Sequence, residues 1–346
     1  MWRFESSLWH LKENRTKVIV ILGPTASGKS DLAVTLAKKF NGEVISADSR
    51  QVYKGLNIGT GKITKEEMRG VPHHLLDVAD PKEQFTVSDF VKLTNGTIGP
   101  IVKSGKLPII CGGTGFYIDA LLGDKQIPEV LPNLELRKEL EQKTVEELFK
   151  ILQKLDPERA RDIDAKNPRR LIRAIEICKV LGRVPKLVDG SQQSVDRKYE
   201  VLKIGIAPLK EITHPLSATL GPSLKSREGQ KYEIEEKELK ERINRRIGKW
   251  FEEGLLEEVE NLHKDGLSWD RMSEIGLEYK LVAQYYTTGK KPRGTLDTEY
   301  LKERMQIETH QYAKRQMTWF KKSKDVVWFD PKNIEDIEKE VENFLK

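Results

Sequence analysis

The chain has 346 residues, 38% hydrophobic and 33% charged, with 60 Lys and Arg against 54 Asp and Glu. That length suggests about two domains with a full core, and the composition excludes a disordered chain. A net charge of +6 permits a polyanionic partner without requiring one, because clustering matters more than the sum. No apolar run approaches the ~20 residues of a membrane span. The opening MWRFESSLWHLKENRT is broken by charge and lacks a signal peptide's apolar core. Cys111 and Cys178 lie inside apolar segments and read as buried, reduced thiols, so a cytoplasmic protein is expected.

Residues 1–16 read as an N-terminal extension. The first apolar run, Lys17–Leu22, enters Gly23-Pro24-Thr25-Ala26-Ser27-Gly28-Lys29-Ser30, which is the G-x-x-x-x-G-K-[ST] of a P-loop. A helical pattern follows it, the context that confirms such a loop. Backbone N–H groups and the helix N-terminus would surround a di- or triphosphate. Lys29 would neutralise it, and the Ser30 hydroxyl can ligate Mg²⁺.

Further short apolar runs, each closed by turn residues, are Glu43–Ala47, Lys106–Cys111, Val201–Ala207 and Val326–Phe329. Helical patterns separate them, the alternation of a doubly wound α/β sheet whose ligands collect at the strands' carboxyl ends. The residues there are the P-loop, Ala47-Asp48-Ser49-Arg50 and Cys111-Gly112-Gly113-Thr114. A nucleotide hydrolase would need an apolar strand ending in a carboxylate, yet KLPIICGGTG ends in glycines. EVISADSRQVY does end in one, Asp48, followed by Ser49, Arg50, Gln51 and Tyr53, which suit a second substrate. The pair His73-His74 lacks a third ligand at suitable spacing and reads as packing or hydrogen bonding.

Residues 123–197 show no strand pattern and read as a helical insertion. Asp156-Pro157 and Asn167-Pro168 each pair an N-cap residue with proline at the first helical position. The second helix should run from Pro168 to about Leu181 and stop at Gly182. At about 100° per residue, Leu171, Ile175, Cys178 and Leu181 share a face, and Arg169, Arg170 and Arg173 point away. Leu209–Lys231 reads as a long polar loop. Glu235–His263 reads as one long helix carrying Arg242, Arg246 and Lys249 on one ridge, and Thr298–Lys322 as another. The core then spans 17–122 and 198–330, with a C-terminal helix at 331–346.

From Val18 to Lys322 the chain resembles the tRNA dimethylallyltransferases, in the bacterial type. The resemblance rests on GPTASGKS, ADSRQVYKGLNIGTGK, PHHLLDV, GGTGFYIDALL, NPRRLIRAIE, RINRRIGKWFEEGLLEEVENL and AKRQMTWFKK, in that order. It implies a P-loop NTPase-like fold and a monomer that moves the prenyl group of dimethylallyl diphosphate to an adenine N6 amine. That adenine lies 3′ of a tRNA anticodon. By this likeness the P-loop, Gly23–Ser30, holds the donor diphosphate with Mg²⁺, although a generic label would call the loop ATP-binding. Asp48 becomes the general base, with Thr114 and Arg246 in the catalytic set. The RNA contacts implied are Asp48, Ser49, Arg50, Gln51 and Thr114 around the acceptor adenine, and Arg137, Arg169, Arg170, Leu171, Ile172 and Arg173 in the insertion that clasps the anticodon stem-loop. EIGLEYK at 274–280 stands where a shorter I-G-Y pattern is common, and no cysteine/histidine finger follows. Rival readings are an adenylate isopentenyltransferase acting on free nucleotides, a P-loop small-molecule kinase and a non-catalytic RNA-binding module.

Overall fold

The computed structural model describes residues 15–124, 128, 130–185, 198–211, 224–225, 231–288 and 297–346. The N-terminal extension up to residue 14 lies outside them. The chain divides into two compact units, residues 1–122 with 197–346, and residues 123–196.

In the larger unit, β1 (Thr16–Leu22) leads through the P-loop into α1 (Lys29–Lys39) and β2 (Gly42–Ser46). The short α2 (Lys65–Met68) and β3 (His73–His74) follow, then α3 (Val87–Lys103), β4 (Leu107–Gly112) and α4 (Gly115–Leu121). The smaller unit is helical: α5 (Leu134–Glu141), α6 (Val145–Leu155), α7 (Pro157–Asp162) and α8 (Pro168–Leu181). The chain re-enters the larger unit at β5 (Tyr199–Ile206), followed by β6 (Leu209–Glu211), β7 (Leu224–Lys225) and β8 (Lys231–Ile234). Helices α9 (Glu236–Glu252), α10 (Leu255–Lys264), α11 (Trp269–Ile275), α12 (Leu277–Thr288) and α13 (Thr298–Phe320) precede β9 (Val326–Phe329) and α14 (Ile334–Leu345).

The main sheet has order β3-β2-β4-β1-β5-β9, with every pairing parallel. The five expected strands are therefore present, and β3 is an added two-residue edge. Strand periodicity sends alternate side chains to opposite faces. Val18, Val20, Leu22, Ile45 and Ile110 pack with α3, α4 and the end of α13 on one face. Ile19, Ile21, Val44, Ile109 and Ile204 pack with α1 and α14 on the other. Burial on both faces explains why these strands read as continuous apolar runs. A third cluster joins α9–α13 to Val52, Tyr53 and Leu56 in the segment after β2.

Two expectations are corrected here. Leu209–Lys231 is not wholly a loop, since β6, β8 and β7 form a small antiparallel sheet; residues 212–223 and 226–230 lie outside the described set. The expected helix Glu235–His263 breaks into α9 and α10. Gly254 sits at φ 93°, a left-handed conformation that ends one helix and caps the next.

The smaller unit has its own core, built from Leu136, Leu140, Leu148, Leu152, Leu171, Ile172, Ile175 and Cys178. Helix α8 runs as expected from Pro168 to Leu181, with the Asn167 side chain accepting from the Arg170 N–H at 3.2 Å. Leu181, at the frayed end, is exposed instead of sharing the buried face. Among the described residues, no helix is long and apolar enough to cross a membrane.

Candidate active site

The carboxyl ends of β1, β2 and β4 bring three loops together, as a parallel sheet dictates. After β1 the P-loop turns through Ala26 at φ 61° and Gly28 at φ 94° into α1. Alternating backbone conformation of this kind gathers N–H groups into an anion-binding concavity. Ser27 is fully buried beneath it. Lys29 Nζ donates to the Pro24 carbonyl at 2.6 Å. Burial, joined by the Arg246 charge, lowers the Lys29 pKa to about 8 against the opposing effect of Asp48. Burial also pushes the Cys111 thiol up to about 12, so it stays neutral beneath the loop.

After β2, Asp48 Oδ1 accepts from the Arg50 N–H at 2.8 Å. Thr114, after β4, accepts through Oγ1 from the Ser49 N–H at 3.1 Å. Asp48, Ser49 and Thr114 thus form one joined group beside the P-loop. The Gln51 side chain, expected to meet the acceptor base, is engaged internally. It accepts from Ser46 Oγ at 3.3 Å and donates to the Gly61 carbonyl at 3.1 Å. Tyr53 is buried in the α9–α13 cluster, with its hydroxyl accepting from the Phe85 N–H at 3.1 Å. It is a core residue, not one open to a second substrate.

The ridge on α9 separates into three environments. Arg246 Nη1 donates to Thr25 Oγ1 at 3.3 Å and Nη2 to the Gly61 carbonyl at 3.1 Å, over the Trp250 ring. Arg242 is held by Glu238 at 2.7 Å, and Lys249 lies at the surface beside Glu253. Arg246 alone of the three bonds to the P-loop among the described residues. Burial lowers the Arg246 pKa, while Glu278, Asp48 and Glu67 counter that shift.

Sequence reasoning missed Gln316 on α13. It is 7% exposed, accepts from the Thr25 N–H at 2.8 Å and donates to the Gly113 carbonyl at 2.9 Å, tying the P-loop to the loop after β4. It also missed Glu278, a carboxyl pushed up to about 7 by burial, with Asp48 raising it and Arg246 and Arg50 opposing. The only signal for Gln316 was its place inside AKRQMTWFKK. The histidine pair is hydrogen-bonded, His73 Nδ1 with the Val71 carbonyl at 2.9 Å and His74 Nε2 with Glu43 at 2.6 Å. Among the described residues, no group of three or more His, Cys, Asp or Glu side chains is placed to hold a metal.

In the smaller unit, Arg169 and Arg170 are exposed, as expected. Four other expected RNA contacts are placed differently. Leu171 and Ile172 are buried in that unit's core, because they fall on the apolar face of α8. Arg137 and Arg173 turn inward to the buried carboxylate of Glu176, which faces both α5 and the start of α8. Arg137 pairs with it through Nε at 3.0 Å and Nη2 at 2.9 Å, and Arg173 through Nη1. The Asn133 N–H adds a bond of 2.7 Å, and these donors hold the Glu176 pKa low against the opposing effect of burial.

The parallel sheet, the P-loop and the arginine that reaches it form a phosphate-binding site, and β4 beside β1 ends in Cys111-Gly112 without the carboxylate of a nucleotide hydrolase. The IPP transferase family profile matches residues 51–219 and 227–323, and that of isopentenyl transferases matches 16–81. A tRNA dimethylallyltransferase of Bacillus cytotoxicus is 37% identical over 92% of this chain and 92% of its own length. The crystal structure of the full-length tRNA isopentenylpyrophosphate transferase of Bacillus halodurans is 36% identical, with a TM-score of 0.64 over 96% of this chain and 97% of that one. A eukaryotic dimethylallyltransferase, described as acting on tRNA, is 27% identical, with a TM-score of 0.70 over 91% of this chain and 74% of that one. The chain belongs to the IPP transferase family.

Proposed function

We propose that this transferase moves the dimethylallyl group of dimethylallyl diphosphate to the N6 amine of the adenine 3′ of a tRNA anticodon, releasing diphosphate. The observation that carries this reading is the meeting, at one sheet edge, of an anion cradle, an arginine bonded to it, and the joined group Asp48, Ser49 and Thr114. The names of the relatives support prenyl transfer and tRNA as acceptor. Beside β1, strand β4 ends in Cys111-Gly112, so the carboxylate that serves nucleotide hydrolysis is replaced by a turn carrying Thr114.

The allylic C–O bond breaks as the N6–C bond forms, and the departing diphosphate gains negative charge. Donors aimed at that charge lower the barrier most. In this reading the P-loop amides, Lys29 and Arg246 supply those donors. The amine is a weak nucleophile because its lone pair is delocalised into the purine ring. Asp48 takes its proton as the new bond forms, with Oδ1 steadied by the Arg50 amide. A diphosphate in the cradle would draw Lys29 from the Pro24 carbonyl, and its negative charge would raise the lowered Lys29 pKa. Ser30, at the start of α1, would offer a hydroxyl oxygen to Mg²⁺, a ligand type that this hard cation takes, and the ion would help neutralise the diphosphate charge. The acceptor base must leave its stack to enter, and the exposed Arg169 and Arg170 meet backbone phosphates of the anticodon stem-loop.

Labelled dimethylallyl diphosphate with Mg²⁺ should label an anticodon stem-loop and not free AMP, and Asp48→Ala should lower the rate by about 10²–10⁴. Native transfer by that variant defeats the mechanism. Preference for AMP points to an adenylate prenyltransferase, and phosphate transfer from ATP to a kinase.

A further inference from the structure

The segment LNIGTGK, residues 56–62, lies between the Asp48 loop and α2, and none of the roles above uses its tight turn. The N–H groups at the start of that turn are held from outside by one side chain. Glu258 of α10 accepts from three successive backbone N–H groups: Asn57 at 2.9 Å, Ile58 at 2.8 Å and Gly59 at 3.2 Å. Its fourth bond comes from the Tyr279 hydroxyl of α12 at 2.7 Å. Tyr279 is 1% exposed, and burial together with the Glu258 charge keeps its phenol protonated. Its approach depends on Gly59, where a Cβ would stand 2.8 Å from Tyr279 Cζ.

The turn closes on itself as well. Gly61 N–H donates to the Ile58 carbonyl at 2.8 Å, Lys62 N–H to Asn57 at 2.9 Å, and Thr60 Oγ1 to Leu56 at 2.8 Å. Its free end presents the Gly61 carbonyl, which accepts from both Arg246 Nη2 and Gln51 Nε2 at 3.1 Å. At Gly61, φ is 55° and a Cβ would collide with the Arg246 guanidinium, so the arginine lies flat against this turn. The other arm of Arg246 ends on Thr25 of the P-loop.

We infer that Glu258, with Tyr279, is a positioning residue for diphosphate departure: it clamps the 57–61 turn, and the turn aims Arg246 at the P-loop. A carboxylate accepting several backbone N–H bonds is rigid because each bond fixes a different direction. A glutamate serving only the fold would stabilise the turn without concern for Arg246. One serving position must lose its effect when Arg246 is absent. The role in transfer rests on the function proposed above, but the aim of Arg246 does not.

The test is a double-mutant cycle of Glu258→Gln and Arg246→Ala in the full chain, read in two ways. In prenyl transfer to tRNA, Glu258→Gln should lower kcat about tenfold or more, since a misplacement of about 1 Å can cost about a hundredfold, with the KM for tRNA unchanged. With Arg246→Ala already present, the second change should cost less than about twofold, since coupled residues are not additive. By calorimetry with inorganic diphosphate and Mg²⁺, Glu258→Gln should weaken binding only while Arg246 is present. Additive losses in both backgrounds, or native kcat and native diphosphate affinity in Glu258→Gln, overturn the inference. If Glu258→Gln does not fold, Tyr279→Phe decides, because it removes one hydrogen bond and keeps the buried ring; a loss that vanishes beside Arg246→Ala supports the inference, and an additive loss refutes it. Coupled diphosphate binding in a chain that prenylates no tRNA would leave the positioning role standing and defeat the function instead.

Discussion

Replacing Gln316 by leucine isolates the bridge between the P-loop and the loop after β4. Leucine is close to glutamine in volume, so the perturbation is the loss of hydrogen bonds rather than a cavity. Two backbone groups lose their partner, the Thr25 N–H and the Gly113 carbonyl. An unsatisfied buried polar group costs about 1–3 kcal/mol. Gly113 is buried and bears more of that cost; Thr25 is half-buried, and water offsets part of its loss. The expected total is therefore about 2–4 kcal/mol, which at roughly 2 °C per kcal/mol for a unit of this size lowers the melting temperature by about 4–8 °C. Gln316→Glu keeps an acceptor for Thr25 but sets a carboxylate against the Gly113 carbonyl. It should melt at or below the leucine variant and bind diphosphate more weakly. Scanning calorimetry with and without diphosphate measures both. A leucine variant that melts with the native chain would show that the bridge contributes nothing, and the reasoning would fail.

Gly61→Ala forces a left-handed alanine and displaces Arg246, and kcat should fall by about 10²–10³, the usual effect of removing one donor from a developing negative charge; a native kcat from steady-state transfer assays excludes this. Glu278 has its carboxyl raised from 4.5 to about 7. Between those pH values the folded chain holds a proton that the unfolded chain releases, so this group's contribution to stability falls as pH rises through the window. Glu278→Gln should gain melting temperature over the native chain from pH 5 to pH 8, and parallel melting curves across that range would contradict it. Glu176→Ala leaves Arg137 and Arg173 facing each other without their buried carboxylate and should destabilise the smaller unit by about 3–5 kcal/mol. Hydrogen exchange should show residues 133–181 losing protection while the sheet does not; unchanged protection refutes it.

The strands were legible because burial on both faces writes uninterrupted apolar runs, as in Val18–Leu22 and Ile109–Cys111. The P-loop, Asp48 and Thr114 were legible because a parallel sheet brings strand ends to one edge. Gln316 and Glu258 were not, since their partners lie far away along the chain and no local spacing records them. Helical periodicity placed Arg173 off the apolar face of α8, but it could not show that Glu176, one turn further on, is buried and draws Arg173 and Arg137 inward. Leu171 and Ile172 stand beside those arginines in sequence, although their apolar side chains belong to the core. Gly254 broke a helix whose amphipathic pattern continued unbroken across it.

The strand order also sets a timetable for synthesis. Strand β1 leaves the ribosome first, yet it lies between β4 and β5. The whole of residues 123–196 must be made before β5 can pair with its second edge. At about 5–20 residues per second, the P-loop strand waits on the order of ten seconds with an unpaired edge. Meanwhile the smaller unit can assemble around its own core. Lengthening the detour adds little to the closure entropy, about 0.6 kcal/mol per doubling, so its main burden is time, during which an open edge can pair with the wrong chain. Gly23 packs against the Ile206 carbonyl at the end of β5. The phosphate cradle, though written near the start of the chain, acquires its backing only when the chain returns.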